Sequence, residues 1–300
     1  MIVVVTGGTG FFGSHLIRGL LDNGHRVILL KRSTSNVWRI SEFISQIDIF
    51  DLDISPLSSL YDKYPKIDAC IHTATDYGLY KGSLNNIFYT NVSLPFSLLT
   101  SMHNSRCDLF INTDTFYTLS NNKNNYFHMR DYIISKQYIK ELGTSFSALK
   151  KIKFINMRLF HLYGTMDNEK KFSVSMIDKL TKGIDIELTD GLQCRDFIYV
   201  KDAVKAFIVV LEAKINQNEQ YDVGTGKLIS IREFVETLKI KTKSNSKLLF
   251  GLIETRGNES EVSNISANVH KLNKLGWFPK VSLEKGIELI VDYSMRHLNK

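Results

Sequence analysis

The chain has little cysteine and no long apolar run. Its three cysteines, Cys70, Cys107 and Cys194, are scattered and odd in number. They form neither a disulfide framework nor metal-ligand spacing, so no metal is expected and a reducing cytoplasm suits them. No apolar stretch approaches the roughly 18 residues that a membrane-spanning helix needs. The first residues already read as strand, with no charged-then-apolar leader, so no membrane or secretory role is expected. The formal net charge is +7, yet the basic residues form no run or stripe. That spread suits solvated lysines better than a nucleic-acid surface, and a positive cleft would also attract a ligand bearing several phosphates. Three hundred residues with 43% apolar and 23% charged content fit one large domain or two intimate ones.

What is present begins at the N-terminus. Met1 to Val5 is an apolar, β-branched run. It leads into Thr6-Gly7-Gly8-Thr9-Gly10-Phe11-Phe12-Gly13 and then an amphipathic stretch, Ser14 to Leu21. Strand, glycine-rich turn and helix together form a seat for a dinucleotide pyrophosphate. Gly7 allows the tight turn, Gly10 the approach of phosphate, and Gly13 close helix packing. Phe11 and Phe12 offer their N–H groups at the helix start.

Strand candidates follow at 26–30, 47–50, 67–71, 107–112 and 152–157, after the first at 2–5. Helical stretches at 14–23, 84–103 and 131–149 lie between them. This alternation predicts an α/β fold, a Rossmann-type doubly wound parallel sheet with right-handed crossovers. Leu119 to Asn125 reads as a polar loop. Past Gly164 the rhythm breaks into short elements, and 196–212 is expected to return to the sheet. The implied division is a dinucleotide-binding domain over 1–165 plus about 195–222. A smaller, discontinuous α/β substrate domain covers about 166–194 plus 223–300.

A second absence concerns the cofactor. The strand ending at Leu30 carries no carboxylate to bond a ribose 2′-hydroxyl. Lys31 and Arg32 stand there instead, which favours the 2′-phosphate of NADP(H) over NAD(H). The alternative reading of the two is a pair of exposed surface charges. Asp51 with Leu52, or Asp53, is placed to meet the adenine, and Thr73-Ala74 to cover the pyrophosphate.

Tyr132 and Lys136 stand one helical turn apart. A cation beside a phenol stabilises the phenolate and lets it exchange a proton near neutrality. Tyr77-Gly78-Leu79-Tyr80-Lys81 repeats the spacing, but Gly78 and the preceding strand mark it as loop. Thr113 ends an apolar strand and can bond the same carbonyl oxygen that Tyr132 protonates.

Taken in order, Thr6–Gly13, Thr113, Tyr132 and Lys136 resemble the extended short-chain dehydrogenase/reductase family. "TNVSLPFSLL", "MRLFHLYG", "RDFIYVKDAVKAF", "YDVGTG" and "KLGWFP" are similar to motifs of its nucleotide-sugar epimerase/dehydratase group. That resemblance spans essentially the whole chain. It implies that Arg195 and Arg256 hold a sugar-nucleotide diphosphate, as bidentate guanidinium groups do. "HTATDYG", "LFINTDTFY" and "HMRDYIISK" narrow it to reductases of CDP-4-keto-3,6-dideoxyglucose, with dTDP-4-keto-6-deoxyglucose reductases as neighbours. Dehydratases of the group carry Glu after Thr-Asp, whereas this chain has Thr115, which has no basic pKa near neutrality. The Asn112-Thr113-Asp114 sequence argues mildly against an NAD-dependent epimerase. His161 replaces the family Asn, and a substrate contact and a backbone-satisfied histidine are equally open. Asp76, Tyr77, Asp114, His161 and Phe172 are the remaining expected substrate contacts. The resemblance also implies a homodimer through 84–103 and 131–149.

Overall fold

The computed structural model describes residues 1–78, 84–102, 107–119, 129–150, 152–215, 217–254 and 264–297. Arg256, the Tyr80/Lys81 part of the repeated spacing and most of the 119–125 loop lie outside these residues. In chain order the first half holds β1 (Ile2–Thr6), α1 (Phe11–Asp22), β2 (Arg26–Lys31), β3 (Asp48–Asp51) and α2 (Leu60–Lys63). It continues with β4 (Ala69–His72), α3 (Leu84–Phe88), α4 (Leu94–Ser101), β5 (Leu109–Thr115), α5 (Arg130–Lys150) and β6 (Lys153–Leu159). The second half holds β7 (His161–Tyr163), α6 (Phe172–Thr181), β8 (Ile186–Leu188), β9 (Cys194–Arg195), β10 (Phe197–Tyr199) and α7 (Val200–Glu212). It ends with β11 (Glu219–Val223), β12 (Ile229–Ser230), α8 (Ile231–Thr242), β13 (Leu248–Phe250), α9 (His270–Lys274) and α10 (Leu283–His297).

Seven strands form one sheet in the order β11-β6-β5-β4-β1-β2-β3, and every pair is parallel. Strands buried on both faces read as continuous apolar runs. Val4, Ile28, Cys70, Phe110 and Phe154 pack toward Leu94, Leu98 and Leu99 of α4. Their neighbours Val3, Val5, Leu29, Ile71 and Ile155 pack on the other face with Leu16 and Leu20 of α1 and Phe207 of α7. This is the doubly wound Rossmann-type sheet, and the glycine turn and Tyr132 both lie near its carboxyl edge.

Two expectations change. The single helix expected over 84–103 is interrupted by a π-helical turn, Tyr89–Ser93, which buries Asn91. The segment 196–212 does not enter the main sheet: β10 pairs with β7 outside it, and α7 carries the chain back to the edge strand β11. Both corrections have a tertiary cause, the hydrogen bonds of Asn91 and the pairing of three-residue strands.

The other two small sheets, β12-β9 and β13-β8, accompany α6, α8 and α10. Buried Asp196 accepts the Thr225, Gly226 and Ala267 N–H groups, tying these segments to β9 and β10. No helix among the described residues is long and apolar enough to cross a membrane.

Candidate active site

The glycine turn is shaped by what cannot fit. Gly7 has φ +69°, and a Cβ there would strike the Ala74 backbone; one on Gly13 would strike the Gly7 carbonyl. Beside Gly10 the only near atom among the described residues is Gly7 O at 3.2 Å, which leaves the turn bare on that side. Gly10 N donates to Gly7 O (2.9 Å) and Ser14 N to Gly10 O (3.0 Å), closing the turn into α1. The first turn of α1 has no acidic residue, so its free N–H groups and positive dipole end suit an anion. This bare cradle fits a dinucleotide pyrophosphate. Only the backbone of Phe12 serves the turn, because its ring packs on Phe207 (centroids 4.8 Å apart). Phe11 stands edge-on to His15. Thr73 Oγ1 donates to Thr6 O (2.7 Å), and Ala74 N donates to Thr6 Oγ1 (3.3 Å), so this loop does sit over the turn.

At the far end, Lys31 is partly spent. Its Nζ lies 3.5 Å from Asp51 Oδ2 and donates to Arg32 O at 3.0 Å. Partial desolvation raises the Asp51 carboxyl, but the Asp53 N–H, the Ser33 hydroxyl and Lys31 outweigh it and hold Asp51 below its usual value. Leu52 N bonds Lys31 O, and Ser33 N bonds Asp53. Arg32 is exposed and makes no ion pair among the described residues.

The catalytic candidates converge where α5 crosses the end of β5. Tyr132 and Lys136 are 4% and 1% exposed. Lys136 Nζ donates to Thr113 O (2.9 Å) and Thr75 Oγ1 (3.1 Å). Burial lowers the Lys136 ammonium to about 8, with Asp114 opposing. The expected depression of Tyr132 is not found. Burial first, then the neighbouring Tyr77 phenol, pushes Tyr132 well above its ordinary value, and the Thr115 hydroxyl opposes this. In this pocket the phenol therefore keeps its proton. The Tyr77 ring packs on Tyr132 (4.9 Å), and Lys171 lies over the Tyr77 ring at 4.7 Å.

Strand alternation puts Thr113 and Thr115 on one face of β5 and Asp114 on the other. Thr113 Oγ1 is buried with no partner among the described residues. Asp114, expected at the sugar, is instead engaged within the sheet: Asn156 Nδ2, the Thr115 N–H and the Thr118 hydroxyl all donate to it. Asp76 likewise caps its own loop, accepting from Gly78 N at 2.8 Å.

The remaining expected contacts gather on the second half. His161 rests on Phe116 (4.2 Å), and its Nδ1 has no partner among the described residues. Burial, then Arg195 and Lys171, holds its imidazole well below its usual value, hence neutral. Arg195 is buried, with Nη1 donating to its neighbour Cys194 O. Phe172 begins α6, half-exposed, 6.3 Å from Phe234.

Sequence reasoning missed Ser135, Thr75 and Lys171, and it carried Asn91 only within the "TNVSLPFSLL" motif. Asn91 accepts from Asp76 N and donates to Asp76 O and Ser135 Oγ, while Ser135 donates to Tyr132 O. Thr75 holds Lys136, and Lys171 covers Tyr77. Ser135 beside Lys136 was the visible signal; the others become neighbours only in the fold.

Known proteins resemble this arrangement. The model of the NAD dependent epimerase/dehydratase family matches residues 3–224. CDP-abequose synthase of Salmonella typhimurium (strain LT2) is 37% identical over 297 residues, covering 95% of this chain and 96% of that protein. The enzyme of the same description from Salmonella muenchen is 34% identical over 288 residues, covering 95% of each. UDP-glucuronic acid 4-epimerase from Bacillus cereus, solved with UDP-glucuronic acid and NAD, superposes with a TM-score of 0.83 at 22% identity, covering 99% of both chains. The chain is an enzyme of oxidoreductase type, and it belongs to the NAD dependent epimerase/dehydratase family.

Proposed function

We propose that the protein is an NADPH-dependent 4-ketoreductase of a nucleotide-linked 4-keto-deoxysugar, CDP-4-keto-3,6-dideoxyglucose before a dTDP-linked analogue. The observation that carries this reading is the buried Tyr132 beside Lys136, with hydroxyls and no free carboxylate at the end of β5. A base for removing a C5 proton is missing there, which disfavours dehydration. The similarity to CDP-abequose synthases supports the CDP-linked substrate.

The bare glycine turn would hold the pyrophosphate, Asp51 and Leu52 the adenine, and Arg32, with Lys31 behind it, the 2′-phosphate. When bound, the reduced nicotinamide supplies a hydride for the sugar C4. Tyr132 donates its proton to the oxygen on that carbon, giving the alcohol, and solvent returns a proton to the phenolate. Thr113, whose hydroxyl has no protein partner, hydrogen-bonds the same oxygen and orients it. Lys136 would bond the nicotinamide ribose, and its charge stabilises the transient phenolate. Arg195 would hold the diphosphate, beside Lys171 and His161.

A second reading, an epimerase with tightly held NAD, is favoured by the Lys31–Asp51 pair, which draws one cation away from a 2′-phosphate. Loss of reduced-nicotinamide absorbance, followed with NADPH and NADH against each keto-sugar made in place, separates the two. Consumption of NADPH with the CDP-sugar is expected. No consumption with either sugar, with nucleotide copurifying, would replace the reductase by the epimerase.

Exposed Phe88, Tyr89, Tyr138 and Leu149 on the α3–π–α4 segment and α5 support a homodimer through these helices. None of the three cysteines is in a disulfide among the described residues, which suits a cytoplasmic setting.

A further inference from the structure

Beneath the catalytic residues, one row of polar side chains crosses the sheet. Thr6, His72, Asn112, Asn156 and Gln220 occupy successive partner positions in β1, β4, β5, β6 and β11. The first four are at most 2% exposed. Buried polar groups go unpaired only at high cost, so the donors and acceptors in such a row constrain one another.

The direction can be assigned from the Asp114 end. Its carboxylate accepts from Asn156 Nδ2 (2.8 Å), the Thr115 N–H (2.8 Å) and the Thr118 hydroxyl (3.3 Å). Asn156 Nδ2 also donates to Gln220 Oε1 at 3.2 Å. Asn156 thus presents its Oδ1 to Asn112, whose Nδ2 donates at 2.8 Å. Asn112 Oδ1 is then left as a buried acceptor with no partner among the described residues. Directly opposite in register, His72 Nε2 is a buried nitrogen with no partner. The other ring nitrogen, Nδ1, lies 2.8 Å from Thr6 Oγ1. That hydroxyl accepts from Ala74 N, so its own proton is available to Nδ1.

We propose that these pieces are one directional chain in which His72 is the neutral Nε2–H tautomer. Its Nε2–H is bonded to Asn112 Oδ1 across one buried water. The chain starts at Ala74, whose backbone packs on Gly7 of the phosphate turn. It ends at Asp114, between Thr113 and Thr115. His72 is therefore a positioning residue. It keeps the phosphate turn in register with the strand end that carries the hydroxyls. A neutral ring also adds no second cation near Lys136, whose charge acts on it.

Long-range proton–nitrogen NMR on the protein labelled at histidine nitrogen tests the tautomer, with a His72→Phe variant to assign the signal. At neutral pH the Nε2–H pattern is expected; an Nδ1–H pattern or an imidazolium overturns the proposal. Asn112→Leu removes the acceptor. It should disturb the His72 pattern and weaken NADPH binding, read by fluorescence, about tenfold, the weight of one buried hydrogen bond. An unchanged pattern with NADPH affinity within about twofold would also overturn it. Should that variant not fold, the spectrum of the unaltered protein decides alone. The binding arm rests on the NADPH reading above; the spectrum does not, so failure of that reading leaves the tautomer result standing.

Discussion

Around Gly7 and Gly13 the protein offers close-packed backbone, and beside Gly10 open space. Around Thr113, Tyr132 and Lys136 it offers buried polar atoms: Lys136 is held by the Thr113 carbonyl and the Thr75 hydroxyl, while the Thr113 hydroxyl has no partner among the described residues. The two ends fail differently. Adding atoms damages the glycine end, whereas changing a proton or a hydrogen bond damages the tyrosine end. The first is steric and independent of pH; the second is electrostatic and depends on it.

The sharpest break in that contrast comes at Tyr132. Tyr132→Phe keeps the ring and its packing on Tyr77 but removes the proton donor. Turnover should fall about 10²–10⁴-fold, the weight of positioned proton transfer, with NADPH affinity little changed. Steady-state kinetics beside a direct binding titration check this, and near-normal turnover would remove Tyr132 from the chemistry. Gly7→Ala tests the opposite end. A left-handed φ of +69° and the Ala74 backbone both oppose the methyl. A loss of about 2–4 kcal/mol of stability is expected, together with weaker binding of either nicotinamide, read by denaturant titration. Arg32→Ala should raise the NADPH KM about tenfold and leave the NADH KM unchanged, since only a 2′-phosphate would engage that guanidinium. Equal effects on both cofactors would mean that Arg32 is a surface charge.

The same contrast governs what was legible from the residues alone. The expected strand at 2–5 is β1, Ile2–Thr6, and the one at 152–157 is β6, Lys153–Leu159, because a strand buried on both faces is mostly apolar. Backbone-driven features announce themselves too, since only glycine tolerates the turn. The second half was harder. Its strands β9 and β12 have two residues each, too short for any period. The π turn at Tyr89–Ser93 was hidden because its cause, Asn91 reaching Asp76 and Ser135, lies in distant parts of the chain. Protonation was hidden for the same reason. The spacing of Tyr132 and Lys136 suggested a depressed phenol, but burial and Tyr77 decide its state, and neither is a local property.

Lys136 gives the smallest expected effect and the most discriminating one. Burial lowers its ammonium to about 8, from an ordinary 10.5. Below that value Lys136 is charged and can stabilise the phenolate; above it the charge is lost. The kcat/KM of the free enzyme should therefore be halved at about pH 8 and decline further above it. Stability should move the other way. Between about 8 and 10.5 the unfolded chain binds a proton at this lysine that the folded chain does not, so this contribution to stability rises with pH across that window. Lys136→Met should abolish the alkaline limb of whatever activity remains and flatten this part of the stability profile. A limb that persists in Lys136→Met, or a melting temperature that falls in step with activity in the unaltered protein, would assign the alkaline loss to unfolding instead of to the charge beneath Tyr132.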